Sequence, residues 1–178
     1  MASRKVSFEG TIIQKLPVSK ADGLTTMGKE WQALSEITYE WADSYDAKQW
    51  DRLEAIVAPH MTLDYTEQFG TKFDKIPRAD FMKMTVRPDN LGGLLDCIHI
   101  VGGSKFEKHS DDKADGHHQI YVVYKRWTNM EKKEVEMETE GLLIMIHHYT
   151  KIDGVWKLCG TTPHTRLGNL RAGDIFRP

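Results

Sequence analysis

Four groups in this chain could move protons. A phenol and a carboxylate lie side by side in the stretch Glu40-Trp41-Ala42-Asp43-Ser44-Tyr45-Asp46, and two imidazoles follow at His99 and His118. Imidazole exchanges protons near neutrality, so a phenol, a carboxylate and two imidazoles suggest a proton-transfer pocket. The plainer alternative is that Asp46 only caps a helix and Tyr45 is a core aromatic with its hydroxyl satisfied.

The elements that would position these groups follow from periodicity. Trp31, Leu34, Thr38, Trp41 and Tyr45 recur at spacings of three and four, which predicts one face of an amphipathic helix, with Glu36, Glu40 and Asp43 on the other. Asp46, three positions before Gln49, reads as a capping box opening a second helix whose stripe is Trp50, Leu53, Ile56 and Val57. Tyr45 and Asp46 then sit at a helix-helix corner, where side chains can enter a cavity. Alternation predicts a strand over 61–66, with Met61, Leu63 and Tyr65 on one face, and Pro77 is placed to open a third helix near 77–84.

From residue 94 the chain reads as strands: one ending at Gly102-Gly103, a second over 104–108, then long strands over 117–127, 135–150 and 155–161. A loop is expected over 109–116, a turn near 128–131 and a tight turn at Ile152-Asp153-Gly154. Leu95, Cys97, His99 and Val101 share one strand face, and His118, Ile120, Val122, Tyr124 and Arg126 share another. The fold class is therefore α+β: a curved, mainly antiparallel sheet closed by about three N-terminal helices. Residues 1–26 read as a flexible arm and 27–178 as a single domain.

Composition excludes several functions. With 178 residues, a net charge of -2 and no basic stripe, nucleic acid is not an expected partner. Cys97 and Cys159 are the only cysteines and have no metal-binding spacing. No early apolar run suits a signal peptide or membrane span, so a cytoplasmic protein is expected. Walker, G-x-G-x-x-G and G-x-S-x-G motifs do not occur. His99, His118 and His147 could all reach the inner face of the sheet as a three-histidine metal site, but nothing recurs at zinc spacing, and no metal is expected.

Several stretches, in order, resemble the scytalone dehydratase family: Tyr39-Glu40-Trp41-Ala42-Asp43-Ser44-Tyr45-Asp46, Trp50-Asp51-Arg52-Leu53, Ala58-Pro59, Asp64-Tyr65, His99 with Gly102-Gly103, His118-Gln119, Lys132-Lys133-Glu134-Val135 and Lys151-Ile152-Asp153-Gly154-Val155-Trp156-Lys157. The resemblance implies a cone-shaped α+β barrel like that of nuclear transport factor 2, assembled as a homotrimer. It implies that Tyr45 and Tyr65 hold a water on the substrate carbonyl, that His99 and His118 handle the α-proton and the departing hydroxyl, and that Asp46 pairs with His118. No cofactor is implied.

Leu143 and Met145 depart from the family pattern, which has Ser and Asn there to orient the first histidine and to bind substrate. Leu170 and Ala172 stand where the family carries phenylalanines. Leu143, Met145, His147 and Leu170 are the expected substrate-binding positions. Together the matches and departures lead us to expect a cofactor-free dehydratase for a cyclic aromatic polyketide ketone in fungal secondary metabolism, distinct from the melanin enzyme. An isomerase or cyclase using the same pocket, or a non-catalytic ligand-binding protein of this fold, is the alternative.

Overall fold

One long helix laid across the hollow of a sheet decides where the candidate residues point. The computed structural model describes residues 26–168 and 170–176. The expected N-terminal arm lies outside them up to residue 25, and Thr26 already belongs to α1 (Thr26–Asp46). Leu34, Ile37, Thr38, Trp41, Ala42 and Ser44 are its buried residues, a stripe at the predicted spacing, whereas Trp31 at the far end is 36% exposed. On the outer side, Arg52 draws Glu40 and Asp43 together at 2.7 and 2.6 Å and ties α1 to α2 (Trp50–Ile56).

The expected capping box does not form. Asp46 is the last residue of α1, and Gln49 precedes α2 without a side-chain cap bond. The Asp46 carboxylate is engaged with β3 instead, so the end of α1 is fixed by the sheet and not by the next helix. Lys48 completes the corner: it adopts φ 55°, uncommon for a side-chain-bearing residue, and its ammonium donates to the carbonyls of Leu91 (2.6 Å) and Leu95 (2.5 Å).

Six strands follow the order β2-β1-β6-β5-β4-β3. They are β1 (Val57–Tyr65), β2 (Thr71–Pro77), β3 (Leu95–Lys108), β4 (Lys113–Trp127), β5 (Val135–Ile152) and β6 (Val155–Gly168), with short helices α3 (Thr66–Phe69), α4 (Arg78–Thr85) and α5 (Ala172–Ile175). Every neighbouring pair is antiparallel except β1 and β6, which run parallel. The mainly antiparallel α+β class is thus the observed one, and the sheet is curved.

The two expected strands around Gly102-Gly103 are one strand, β3, whose register slips between Val101 and Ser104; the glycines mark a bulge instead of an end. Only residues 109–112 remain as the loop expected over 109–116, and β6 runs on to Gly168. At the β5–β6 hairpin, Asp153 and Gly154 take φ 50° and 80°, as a two-residue turn with two left-handed positions requires. The edge strand β2 has no counterpart among the expected strands because its alternation is polar on both faces for most of its length.

The core fills the space between α1 and the concave side of the sheet. Leu34, Trp41, Leu53, Val57, Met61, Ile120, Val122, Tyr149 and Leu158 belong to one buried cluster. Gly116 is required here by close approach: a Cβ on it would fall within contact distance of the His118 ring and 3.0 Å from Tyr149 Cε2. Overpacking of this kind costs about 1–3 kcal/mol. Gly116→Ala is therefore expected to lower the denaturant midpoint with little change in its slope, and an unchanged midpoint would mean that the two rings yield freely.

Candidate active site

Asp46 and His99 form the centre of the site. His99 is on β3, and its ring lies beneath the C-terminal end of α1, where Asp46 Oδ1 meets His99 Nδ1 at 2.7 Å. The second carboxylate oxygen accepts the His99 backbone N–H, also at 2.7 Å. Both side chains are largely buried, at 5% exposure for His99 and 15% for Asp46. A carboxylate can only accept, so Nδ1 carries a proton, and Nε2 is the position at which the ring can take up or release a second one. That nitrogen faces the hydroxyl of Tyr124 at 3.3 Å.

Nε2 opens on a cavity of about 310 Å³ whose lining includes Tyr45, Tyr65, His99 and Tyr124. The walls are otherwise mostly apolar and include Leu63, Phe73, Phe81, Leu143, Met145, Leu170 and Phe176. Tyr45 comes from the last turn of α1 and Tyr65 from the end of β1. Thr161 Oγ1 donates to the Tyr65 hydroxyl at 3.3 Å, and Thr85 lines the same cavity as Tyr45. Burial pushes all three phenols up from their ordinary value, and Tyr65 adds to the effect on Tyr45, so they act as hydrogen-bond donors that stay protonated.

Two lining residues carry a buried acceptor without a protein partner, Gln68 Oε1 and Asn90 Oδ1. The Gln68 amide is oriented because its Nε2 donates to the Pro163 carbonyl at 3.0 Å. An unpaired buried acceptor costs about 1–3 kcal/mol, a penalty that a ligand donor reaching it would remove.

The structure corrects the role expected of His118. It shares the concave face with His99 but does not line the cavity; it is fully buried beneath α1. Ser104 Oγ lies 2.8 Å from His118 Nδ1, and Tyr149 hydroxyl 3.0 Å from Nε2. Thr38 donates to the Leu34 carbonyl, so it accepts from Tyr149 at 2.6 Å, and Tyr149 in turn accepts from His118 Nε2–H. His118 Nδ1 then accepts from Ser104. Asp46 accordingly pairs with His99 and not with His118, because the end of α1 reaches β3 at His99.

His147 is likewise absent from the cavity lining. It is fully buried, its Nδ1 3.3 Å from the Tyr149 hydroxyl, and its Nε2 has no partner. Trp41 stands between the two groups, edge-on to His99 at 5.0 Å and to His147 at 4.6 Å between ring centroids. Leu143, Met145 and Leu170 do line the cavity. The aromatic bulk expected to be missing near Leu170 and Ala172 is partly supplied by Phe176, which packs against Tyr124 at 4.8 Å and Phe69 at 5.8 Å.

Tyr124 is the cavity residue that periodicity marks only as a member of a strand face. The signal that could have found it is register: it alternates with Val122, which pairs with His99, so both side chains enter the same side of the sheet.

For a metal, donor atoms of Asp46, Cys97 and His99 lie within 4.8 Å of one another. Their chemistry does not fit one. Both carboxylate oxygens already accept from His99, so the acid and imidazole of the trio are engaged with each other. The three-histidine alternative is also dismantled, since Trp41 separates His99 from His118 and His147.

A dyad of carboxylate and imidazole thus opens into a mostly apolar cavity between a long helix and a curved, mainly antiparallel sheet, an α+β arrangement. The scytalone dehydratase family model matches residues 26–178, and the chain belongs to that family, a family of dehydratases. Scytalone dehydratase arp1 of Aspergillus fumigatus is 38% identical over 161 residues, covering 90% of this chain and 96% of its own. The scytalone dehydratase of Pyricularia oryzae is 37% identical over 160 residues, 89% of this chain and 92% of its own. The scytalone dehydratase-like protein mdpB of Emericella nidulans is 37% identical over 141 residues, 79% and 66%. Among solved structures, hexachlorocyclohexane dehydrochlorinase LinA-type3 from Novosphingobium barchaimii superposes with a TM-score of 0.60 over 79% of this chain and 89% of that one, at 18% identity, a likeness of fold alone.

The buried histidines make stability depend on pH. Burial, aided by His117, pushes His118 from 6.5 down to about 4, and His147 is lowered in the same sense. Between these values the unfolded chain binds the proton that folded His118 refuses, so stability is full above 6.5 and is lost as pH falls toward 4. The gap corresponds to about 3 kcal/mol for His118. Urea titrations at pH 7 and pH 4.5 should show this loss, and His118→Gln should flatten it; an equal slope in the variant would contradict the assignment.

Proposed function

We propose that this protein is a cofactor-free dehydratase acting on a cyclic, aromatic-fused polyketide ketone in fungal secondary metabolism. The observation that carries the reading is the Asp46–His99 pair: it leaves a basic Nε2 facing an apolar cavity that also holds two protonated phenols, Tyr45 and Tyr65.

In this reading His99 Nε2 takes a proton from the carbon beside the ketone, and the electron pair moves to the carbonyl oxygen. Tyr45 and Tyr65 meet the developing charge through a water they share, as oxyanion-hole donors do. The pair then returns to the ring and expels the hydroxyl of the neighbouring carbon, which takes up a proton and departs as water. Asp46 keeps Nδ1 protonated and steadies the imidazolium while it exists. Aromatisation of the ring drives the sequence forward.

The cavity supports this substrate class in two ways. Its apolar walls, Leu143 and Met145 included, suit a flat ring system, and the unpaired oxygens of Gln68 and Asn90 favour ring hydroxyls as donors. We further propose a homotrimer built through the outer face of the sheet. Ile100, Tyr121, Leu142 and Leu167 are register partners in a row across four strands, and the three aliphatic members are exposed.

The test is to incubate the protein with 3-hydroxy-1-tetralone and with scytalone and to follow loss of water by mass spectrometry. His99→Ala and Asp46→Asn should each lower the rate by about 10²- to 10⁴-fold. A product of unchanged mass that still requires Tyr45 would replace dehydration with isomerisation, and identical traces with and without protein would leave binding alone. Separately, native mass spectrometry should give three chains, and Leu142→Glu with Ile100→Glu should give one; a wild-type monomer would end the trimer proposal.

A further inference from the structure

Loss of hydroxide as water needs a proton donor beside the base. His118 is closed off beneath α1, and its two ring nitrogens are committed to Ser104 and Tyr149. Among the described residues, the group hydrogen-bonded to His99 Nε2 is the Tyr124 hydroxyl, at 3.3 Å, and Tyr124 also lines the cavity. We infer that Tyr124 is the acid of this site: its phenol delivers the proton that departs with the substrate hydroxyl, and it recovers one from His99. This assignment rests on the dehydratase reading above.

Geometry favours the pairing. The carbon that loses its proton and the carbon that loses its hydroxyl are bonded neighbours, about 1.5 Å apart. For a proton and a hydroxyl leaving from one face of the ring, base and acid must therefore stand next to each other. Nε2 and the Tyr124 oxygen do so. The Tyr124 ring is held in place by its neighbours, since Phe176 packs on it at 4.8 Å between centroids and the His99 ring approaches it edge-on at 5.8 Å. Tyr45 is less suited to this step, because among the described residues the hydrogen bond to His99 Nε2 comes from Tyr124 and not from Tyr45.

The step balances without a co-reactant. The α C–H bond breaks and its proton goes to Nε2. The C–O bond breaks as the phenol O–H proton passes to the departing oxygen, forming water. The imidazolium then returns its Nε2 proton to the phenolate, and both residues regain their starting states. Burial raises Tyr124 well above its ordinary value, so a free phenolate is disfavoured and the two transfers at its oxygen must be closely coupled. One imidazole and one phenol thus divide the work that the family resemblance implied for His99 and His118.

Two probes separate this role from a structural one. 3-Hydroxy-1-tetralone can lose water, whereas 1-tetralone has the same α-protons and no hydroxyl to lose, so its α-exchange in D2O reads the base and the oxyanion donors alone. Tyr124→Phe is expected to cut dehydration by about 10²-fold or more while α-exchange stays within about threefold. Tyr124→His should recover part of the dehydration, since imidazole can also donate. Dehydration by Tyr124→Phe within about threefold of wild type would overturn the assignment, and so would an equal loss of both reactions, which would mark Tyr124 as a packing residue. If the wild-type protein exchanges α-protons but never releases water, the dehydratase reading itself fails, and that result is distinct from the other two.

Discussion

The two-point grip of Asp46 on His99 is the contact on which the site depends. One carboxylate binds both the ring and the backbone of a single residue, so it fixes the rotation of the imidazole and anchors the end of α1 to β3 in the same act. The tautomer follows, and with it the direction of the basic nitrogen. Tyr45, one residue earlier on the same helical turn, is carried to the cavity by that anchor. Lys48, clasping the carbonyls of Leu91 before β3 and of Leu95 at its start, holds the next corner of the chain in the same way. Helix and sheet are thereby locked at the place where the chemistry is proposed.

Trp41 divides the concave face into two compartments of opposite character. On one side lies the cavity, mostly apolar, with a few phenols, two threonines, one imidazole and two unpaired amide oxygens. On the other, His118, His147, Tyr149, Thr38 and Ser104 form a closed polar network with almost every hydrogen bond assigned. A polar network buried this deeply is costly when half satisfied and specific when complete. Here it locates α1 over the sheet. Histidines on the same face of the same sheet therefore serve different ends: those in the network stay neutral through burial, whereas His99 gains its character from a carboxylate.

The departures at Leu143 and Met145 fit this division. Both side chains form cavity wall, and neither offers the hydrogen bond that the resemblance would have placed there. The buried acceptors of the cavity that lack a protein partner lie instead on Gln68, on α3, and on Asn90, in the segment before β3. The membership of the chain in a dehydratase family is thus compatible with a substrate footprint of its own.

Much of this was legible in residue order. The apolar spacing of α1, the alternation of the strands and the Asp153-Gly154 turn follow from local sterics and from the need to bury one face, so the α+β class, the strand faces that His99 shares with Cys97 and His118 with Ile120, and the nearness of Tyr45 and Asp46 to a helix end could be read directly. What periodicity cannot supply is the order of contacts across the sheet. Whether Asp46 caps a helix or grips His99, whether His118 meets the cavity or the underside of α1, and which side chain faces His99 Nε2 all depend on register between strands far apart in the chain. Those contacts are set by how α1 docks on the curved sheet, a global balance of packing and buried hydrogen bonds that no short stretch of sequence contains. Side-chain face was a local property of the chain; partnership was decided only by the tertiary fold.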